Sequence, residues 1–354
     1  MVDGLIPQIG ALIAILAIPM VSKKVEHNIE YFFLVTGIVV VTAANMWSFY
    51  LVKEALIHPI AVGGDLRMPI GITQVVLLAG LGVYYARHKI TGLVNRMDNP
   101  YVLALITFTL GIVSSVISAI VASVLLGELL ALSKLPRVVK VRIAISAAFA
   151  IGIGAALFPL GEPLSAMAIA KLSGPPYNAG FTFLFDNLWD ILIPLVALFA
   201  IIIYFYSKRM KRKSKEDAYV TDYSPSRREV IMRTIKIYAF IVGLYMLAEF
   251  FKPLAEPVAE LGIAVLYFFG LVSAAADNAT LTVALVSGSM ELSELRAFIT
   301  SLVIAGGLLI PGNVPNIIFA SILKIGFKEW AKVAVPIGMP VFLAVAAIML
   351  TLGI

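Results

Sequence analysis

A chain of 354 residues that is 61% hydrophobic and only 14% charged cannot cover itself with a soluble surface without leaving large apolar patches, so its composition calls for lipid as solvent. The net charge of +6 would suggest nucleic acid in a soluble protein, but here the basic residues sit in short loops between apolar spans and act as topology signals, with no nucleic-acid partner expected. The absence of cysteine excludes disulfides, thiolate catalysis and cysteine metal sites, and His27, His58 and His88 all fall in predicted loops, away from any intramembrane histidine relay.

Apolar runs long enough to cross about 30 Å of hydrocarbon recur along the chain, with none of the short alternating strands of a barrel. The first, Leu5 to Val21, lacks the positive leader and small-residue cleavage site of a signal peptide and reads as a retained span. Asp3 before it and Lys23-Lys24 after it place the N-terminus outside. Further spans are predicted at 31–51, 69–86, 143–170, 180–206, 235–252, 297–323 and 333–352, which leaves two apolar stretches, 101–132 and 257–292. The first of these has Arg87, Lys89 and Arg96 on one flank and Lys134, Arg137, Lys140 and Arg142 on the other, so both flanks belong on the cytoplasmic side. One crossing would separate them, and two full crossings with a turn need about 40 residues. A re-entrant hairpin satisfies charge and length together, provided protein covers its tip. The flanks of 257–292 carry few positive charges, which fits a hairpin entering from outside.

This topology gives every lysine and arginine a side. Lys53, Arg67, Lys171, Lys252 and Arg296 fall outside, and the other 22 of the 27 fall inside. Both termini are then outside a multi-pass cell membrane of the inner or plasma type. The polar segment 207–234 reads as a cytoplasmic linker, contact with anionic lipid being the alternative. Residues 1–52 form two N-terminal helices, 69–206 a first unit and 235–354 a second.

The two units share sequence frames. Gly111-Ile-Val-Ser114-Ser115-Val-Ile-Ser118 in one hairpin runs parallel to Gly270-Leu-Val-Ser273-Ala-Ala-Ala-Asp277 in the other. After each hairpin a long apolar helix is interrupted, by Pro159-Leu-Gly161-Glu162-Pro163 and by Pro311-Gly312-Asn313-Val-Pro315-Asn316. Prolines in mid-span remove backbone donors and free carbonyls and helix ends around one point. Discontinuous helices at corresponding places in two halves point to a transporter's binding site, although glycine and proline also serve merely as kinks in membrane helices. The expected fold is therefore an all-α polytopic membrane protein of two inverted repeats, each with a re-entrant hairpin (101–132, 257–292) and a discontinuous transmembrane helix (143–170, 297–323), plus the two extra N-terminal helices.

Asp277 is the sharpest site candidate, because a carboxylate among small apolar residues inside a membrane is costly unless it binds something. Asn278, Thr280 and Thr282 beside it offer hard oxygen ligands suited to sodium. Pinning the hairpin tip through backbone hydrogen bonds is the alternative role for Asp277. Glu162 stands in the first break where the second has Asn313, and Gly161, Asn316, Ser114, Ser115 and Ser118 complete the candidate set, with sodium assigned to Asp277, Asn278 and Asn313. The three serines could equally serve helix packing. Glu128, Asp186, Asp190, Glu249, Glu256 and Glu260 are expected near water, and Trp47, Trp189 and Trp330 in interfacial belts.

The run from Ser273 to Thr282 and the break from Pro311 to Asn316 resemble the ion transporter superfamily, which includes NhaD-type sodium/proton antiporters, arsenite permeases and sodium-coupled dicarboxylate carriers, and they are similar above all to a prokaryotic group of candidate cation transporters. The resemblance spans both units and implies a homodimer among membrane lipids, with elevator-like motion of the hairpins and broken helices against a scaffold. A sodium (cation)/proton antiporter is the function it favours. A sodium-coupled symporter of a small dicarboxylate or oxyanion is the main rival, since helix N-termini also attract anions, and an ion channel is the next. No His-Glu-x-x-His motif or recognisable protease pattern is present, so neither enzymatic activity nor a cofactor is expected.

Overall fold

The computed structural model describes residues 6–26, 28–61, 71–211, 226–251, 253, 262–275 and 278–352. Among them there is no strand. In chain order the helices are α1 (Ile6–Val21), α2 (Lys23–Glu26), α3 (Ile29–Ala43), α4 (Phe49–Ile57), α5 (Ile72–Arg96), α6 (Pro100–Ile117), α7 (Ala119–Leu132), α8 (Arg137–Ala155), α9 (Pro163–Leu172), α10 (Phe183–Lys211), α11 (Arg227–Phe251), α12 (Gly262–Phe269), α13 (Asn278–Leu285), α14 (Leu292–Gly306), α15 (Val314–Leu323) and α16 (Phe327–Leu352). Short 3₁₀ turns, Gly270–Ala274 and Ile310–Gly312, follow α12 and precede α15.

Five of these helices, α6, α8, α10, α11 and α16, are long and apolar enough to cross a membrane, and together with the shorter apolar helices they point to a membrane protein. Burial sorts them into layers. α8 is 89% buried over its most apolar window, whereas the window of α16 is only 33% buried. Apolar side chains such as Leu105, Phe205 and Leu343 face outward from the peripheral helices, as a lipid solvent requires. α8 therefore forms the centre, against which α6, α7, α10, α14, α15 and α16 pack. A second group forms around α11, which packs on α3, α4 and α5.

Several of the expected spans differ in extent; α5 runs from Ile72 to Arg96 and α16 starts at Phe327. The span expected at 31–51 ends at Ala43: Asn45 takes a left-handed φ of 53°, and the Ser48 side chain accepts the Leu51 N–H at 3.1 Å to start α4 afresh. α10 runs on to Lys211 and α11 begins at Arg227, so both helices reach into the segment expected to be linker. His88 lies within α5 rather than in a loop, and His27 is outside the described residues.

Helix direction follows from end contacts. Arg142 at the start of α8 lies over the Tyr206 ring at the end of α10, and Tyr101 at the start of α6 meets Tyr204. Lys140 donates to the Ala131 carbonyl at the end of α7. Both far ends of the α6–α7 pair thus lie at the same end of α8, making the pair a helical hairpin. At the other end of α10, Arg296 near the start of α14 bonds the Asn187 carbonyl and Asp190. α14 accordingly runs opposite to α8. The Arg137–Glu329 and Lys324–Glu229 ion pairs sit at the Tyr206 end, which collects basic residues expected on the cytoplasmic side.

Between the two helix groups lies a buried ion pair. Arg233 of α11 donates to Glu128 of α7 at 2.5 Å, with side-chain exposures of 7% and 1%, so Glu128 is not at a water-facing mouth as expected. Arg233 also rests on Gly80 of α5, and a side chain there would collide with its guanidinium. Removing one member of such a pair leaves an uncompensated charge in an apolar interior and costs about 3–5 kcal/mol. Arg233→Ala should therefore lower the melting temperature of detergent-solubilised protein markedly, and the double change Glu128→Leu with Arg233→Met should restore most of the loss.

Candidate functional site

The long helix expected at 143–170 is split into α8 and α9, and that expected at 297–323 into α14 and α15. α9 and α15 have 10 residues each, roughly 15 Å, half the hydrocarbon thickness. Both begin from an extended cap residue of nearly the same geometry: Glu162 at φ −155°, ψ 161°, and Asn313 at φ −154°, ψ 150°. Neither side chain caps its own helix. Proline occupies the first turn of each, where its missing N–H costs nothing.

The contacts around the two breaks repeat in constant register. Ser114 Oγ donates to the Ile151 carbonyl at 3.1 Å, and Ser273 Oγ to the Leu302 carbonyl at 3.2 Å. Gly161 lies on Ser115 and the Ala155 carbonyl, leaving no room for a Cβ; Gly312 lies in the same way on Ala274, the Ser273 carbonyl and the Gly306 carbonyl. Ser165 Oγ reaches back to the last carbonyl of α8, Ala155, at 3.4 Å, and Asn316 Nδ2 to the last carbonyl of α14, Gly306, at 2.7 Å. Gly161 and Glu162 thus correspond to Gly312 and Asn313, one residue away from the frame that aligns Pro159 with Pro311 and Pro163 with Pro315. Loop spacing before each cap, rather than proline position, sets the register.

The tip of the α6–α7 hairpin touches the first break. Ser118 joins α6 to α7 at φ 83°, a conformation that L-residues avoid, while its Oγ accepts the Ile120 N–H and the next amide, Ala119 N–H, donates to Gly161 O at 2.9 Å. The halves also interlock, with α9 packed against α13 and α15 against α7. Asn313 crosses between them: its amide occupies the space left by the absent side chain of Gly152 in α8. A small cavity of about 30 Å³ separates Pro163 from Pro311 and Asn313, with His58, Ile72, Ile241, Leu244, Tyr245, Val314 and Ile317 around it.

The candidate residues now divide by what their polar atoms do. Ser114 and Ser115 each donate to a carbonyl one turn back at 2.6 Å, and Thr282 donates to Asn278 O at 2.9 Å, so these hydroxyls retain only acceptor capacity. Asn316 spends its amide N–H groups on Gly306 O and Leu309 O, both at 2.7 Å, and so holds the break closed. Its Oδ1, and both polar atoms of Asn278, have no hydrogen-bond partner among the described residues although the two side chains are 0% and 4% exposed. Both amides stand at Gly306, the C-terminal end of α14. Glu162 is buried at 8% exposure. Asp277 lies outside the described residues, as does the side chain of Thr280.

Three residues at the site were not among the candidates. Ser165 belongs to it as the counterpart of Asn316, a match visible once the frame is shifted by one. Trp330, expected in an interfacial belt, is fully buried and donates its indole N–H to Gly307 O at 3.2 Å, completing the second break. His58, read as a loop residue, caps the end of α4 and lines the small cavity, its ring tilted against that of Tyr245 with centroids 5.0 Å apart. Among the described residues no group of three or more histidine or acidic side chains could hold a metal ion.

The absence of space at Gly161 and Gly312 has a measurable consequence. Gly161→Ala and Gly312→Ala should each cost about 1–3 kcal/mol through overpacking against backbone, read as a loss of thermal stability in detergent, while Gly174→Ala, with nothing nearby, serves as the neutral control.

Along residues 5–352 the chain matches the family described as "Protein of unknown function (DUF1646)". No curated protein matches it. Because that match runs through nearly the whole chain, the chain belongs to the DUF1646 family.

Proposed function

We propose that this protein is a secondary active transporter that exchanges sodium, or another cation, for protons, built from two inverted repeats with re-entrant hairpins and working as a homodimer by elevator-type alternating access. The observation that carries the reading is the pair of buried amides, Asn278 and Asn316, placed at the C-terminal end of α14 with oxygens that have no donor among the described residues. A helix C-terminus presents partial negative charge, and broken-helix ends with carbonyl and amide oxygens suit a hard monovalent cation. The equivalent building of the two breaks, the opposed directions of α8 and α14, and the hairpin of α6 and α7 support the repeat architecture.

The chemistry follows from charge. Asp277 from the second hairpin and Glu162 from the first break supply the carboxylates. A cation bound beside them favours their ionised form, whereas an apolar surrounding favours the protonated one, so cation and proton compete for the same groups. Asn278, Asn316 and Asn313 orient the ion without titrating. The N-termini of α9 and α15, which face the same region, support the rival reading of sodium-coupled anion uptake.

Flux measurements separate these readings. In proteoliposomes a sodium gradient should drive proton movement, and Asp277→Asn combined with Glu162→Gln should abolish it. Intact exchange in that double variant removes the carboxylates from the mechanism, and anion uptake without proton movement replaces the antiport reading by the symport one. Loss of one neutral ligand to a charged ion costs about 1.5–3 kcal/mol, so Asn278→Ala should raise the half-saturating sodium concentration roughly tenfold or more.

A further inference from the structure

A second, larger cavity of about 350 Å³ lies between the α11 group and α15, and nothing described so far uses it. Its two walls are helix stripes. Glu229, Met232, Arg233, Lys236, Ile237 and Phe240 line it from α11, and Ile317, Ala320, Ser321 and Lys324 from α15, both at the three- and four-residue spacing of one helix face. The same stripes continue inward. Ile241, Leu244 and Tyr245 of α11 and Asn313 and Val314 at the start of α15 line the small cavity between the breaks. Ile317, 3% exposed, borders both spaces.

Polarity changes along this seam. The outer part holds Lys324, which is 74% exposed and 3.6 Å from Glu229, at the end of the molecule where Arg137 pairs with Glu329. Lys236 faces Glu30 of α3 at 3.9 Å, and Arg233 is held by Glu128. Every cation on the lining therefore faces a carboxylate, and the vestibule neither repels nor traps an ion of either sign. Deeper in, Ile237, Phe240, Ile310 and Ile317 replace charge with hydrocarbon. An apolar constriction between two spaces excludes water and blocks ions until it widens.

We propose that the seam between α11 and α15 is the access path from the basic end of the molecule to the helix breaks, and that Ile317 is its hydrophobic gate. This rests on the transport reading, but its test does not depend on flux. The orientation puts the open vestibule on the side of the linker, with the inner end shut at Ile317.

The cysteine-free chain lets a single introduced thiol report water access without background. In membrane vesicles of known sidedness, with Arg209→Cys marking the basic side, Ser321→Cys should react with a membrane-impermeant methanethiosulfonate from that side only. Leu244→Cys should stay protected while Ile317 is present and become reactive from the same side, faster by on the order of tenfold or more, when combined with Ile317→Ala, because the constriction is then wet. If Ile317→Ala does not fold, Ile317→Val carries the same test with a smaller rise. Protection of Ser321→Cys from the marked side, or equal labelling of Leu244→Cys with and without the Ile317 change, overturns the proposal. Expected labelling without ion flux keeps the path and sinks the transport reading; flux with a protected Ser321→Cys does the reverse.

Discussion

A helix interrupted inside an apolar protein must have its freed backbone groups satisfied by the protein itself, since hydrocarbon offers no partner. This constraint shapes the centre of the molecule. The carbonyl ends of α8 and α14 are met by Ser165, Asn316 and Trp330, and the first break is further tied to a hairpin through Ala119. Such bonds require close approach, which is why the breaks meet neighbouring backbone at glycine and why Gly161 and Gly312 occupy equivalent places. The interlocking of α9 with α13 and of α15 with α7 then packs the short helices that leave both breaks, and the second break, Ile310 to Asn313, is buried.

The second consequence is a division of labour among helices. α8, with its hairpin and breaks, is packed on nearly all sides, whereas α3, α4, α5 and α11 form a separate layer beside it. The contact between layers is partly apolar and partly ionic, through the buried Glu128–Arg233 pair and the more exposed Lys324–Glu229 pair. Both cavities lie along this contact. The proposed elevator-type cycle would place its sliding plane along this seam.

The two breaks are built alike and differ in chemistry. Where the first break has Ser165, the second has Asn316, and where α7 begins with Ala119, α13 begins with Asn278. Glu162 has Asn313 as its counterpart. Amide oxygens are thereby concentrated in one half and a buried carboxylate is retained in the other. Such asymmetry on a repeated frame lets packing be duplicated while the polar groups specialise.

By itself the sequence determined the all-helical class, the placement of the two interruptions and most residues around them, because span length, charge clustering and proline in an apolar run act locally. Glu162, Asn278, Asn313 and Asn316 were readable for the same reason: each is a strongly polar residue in a stretch made mostly of apolar and small residues. Tertiary structure alone decided the one-residue register between the breaks, since Gly161 and Gly312 are matched by what they touch, not by the prolines nearby. It also decided the fate of Glu128, Trp330 and His58, whose surroundings are set by helices distant in sequence, so that a residue predicted near water is sealed in an ion pair and a predicted belt tryptophan closes a helix break. The stripe from Glu229 to Tyr245 on α11 likewise takes its meaning only from its meeting with α15 along the two cavities.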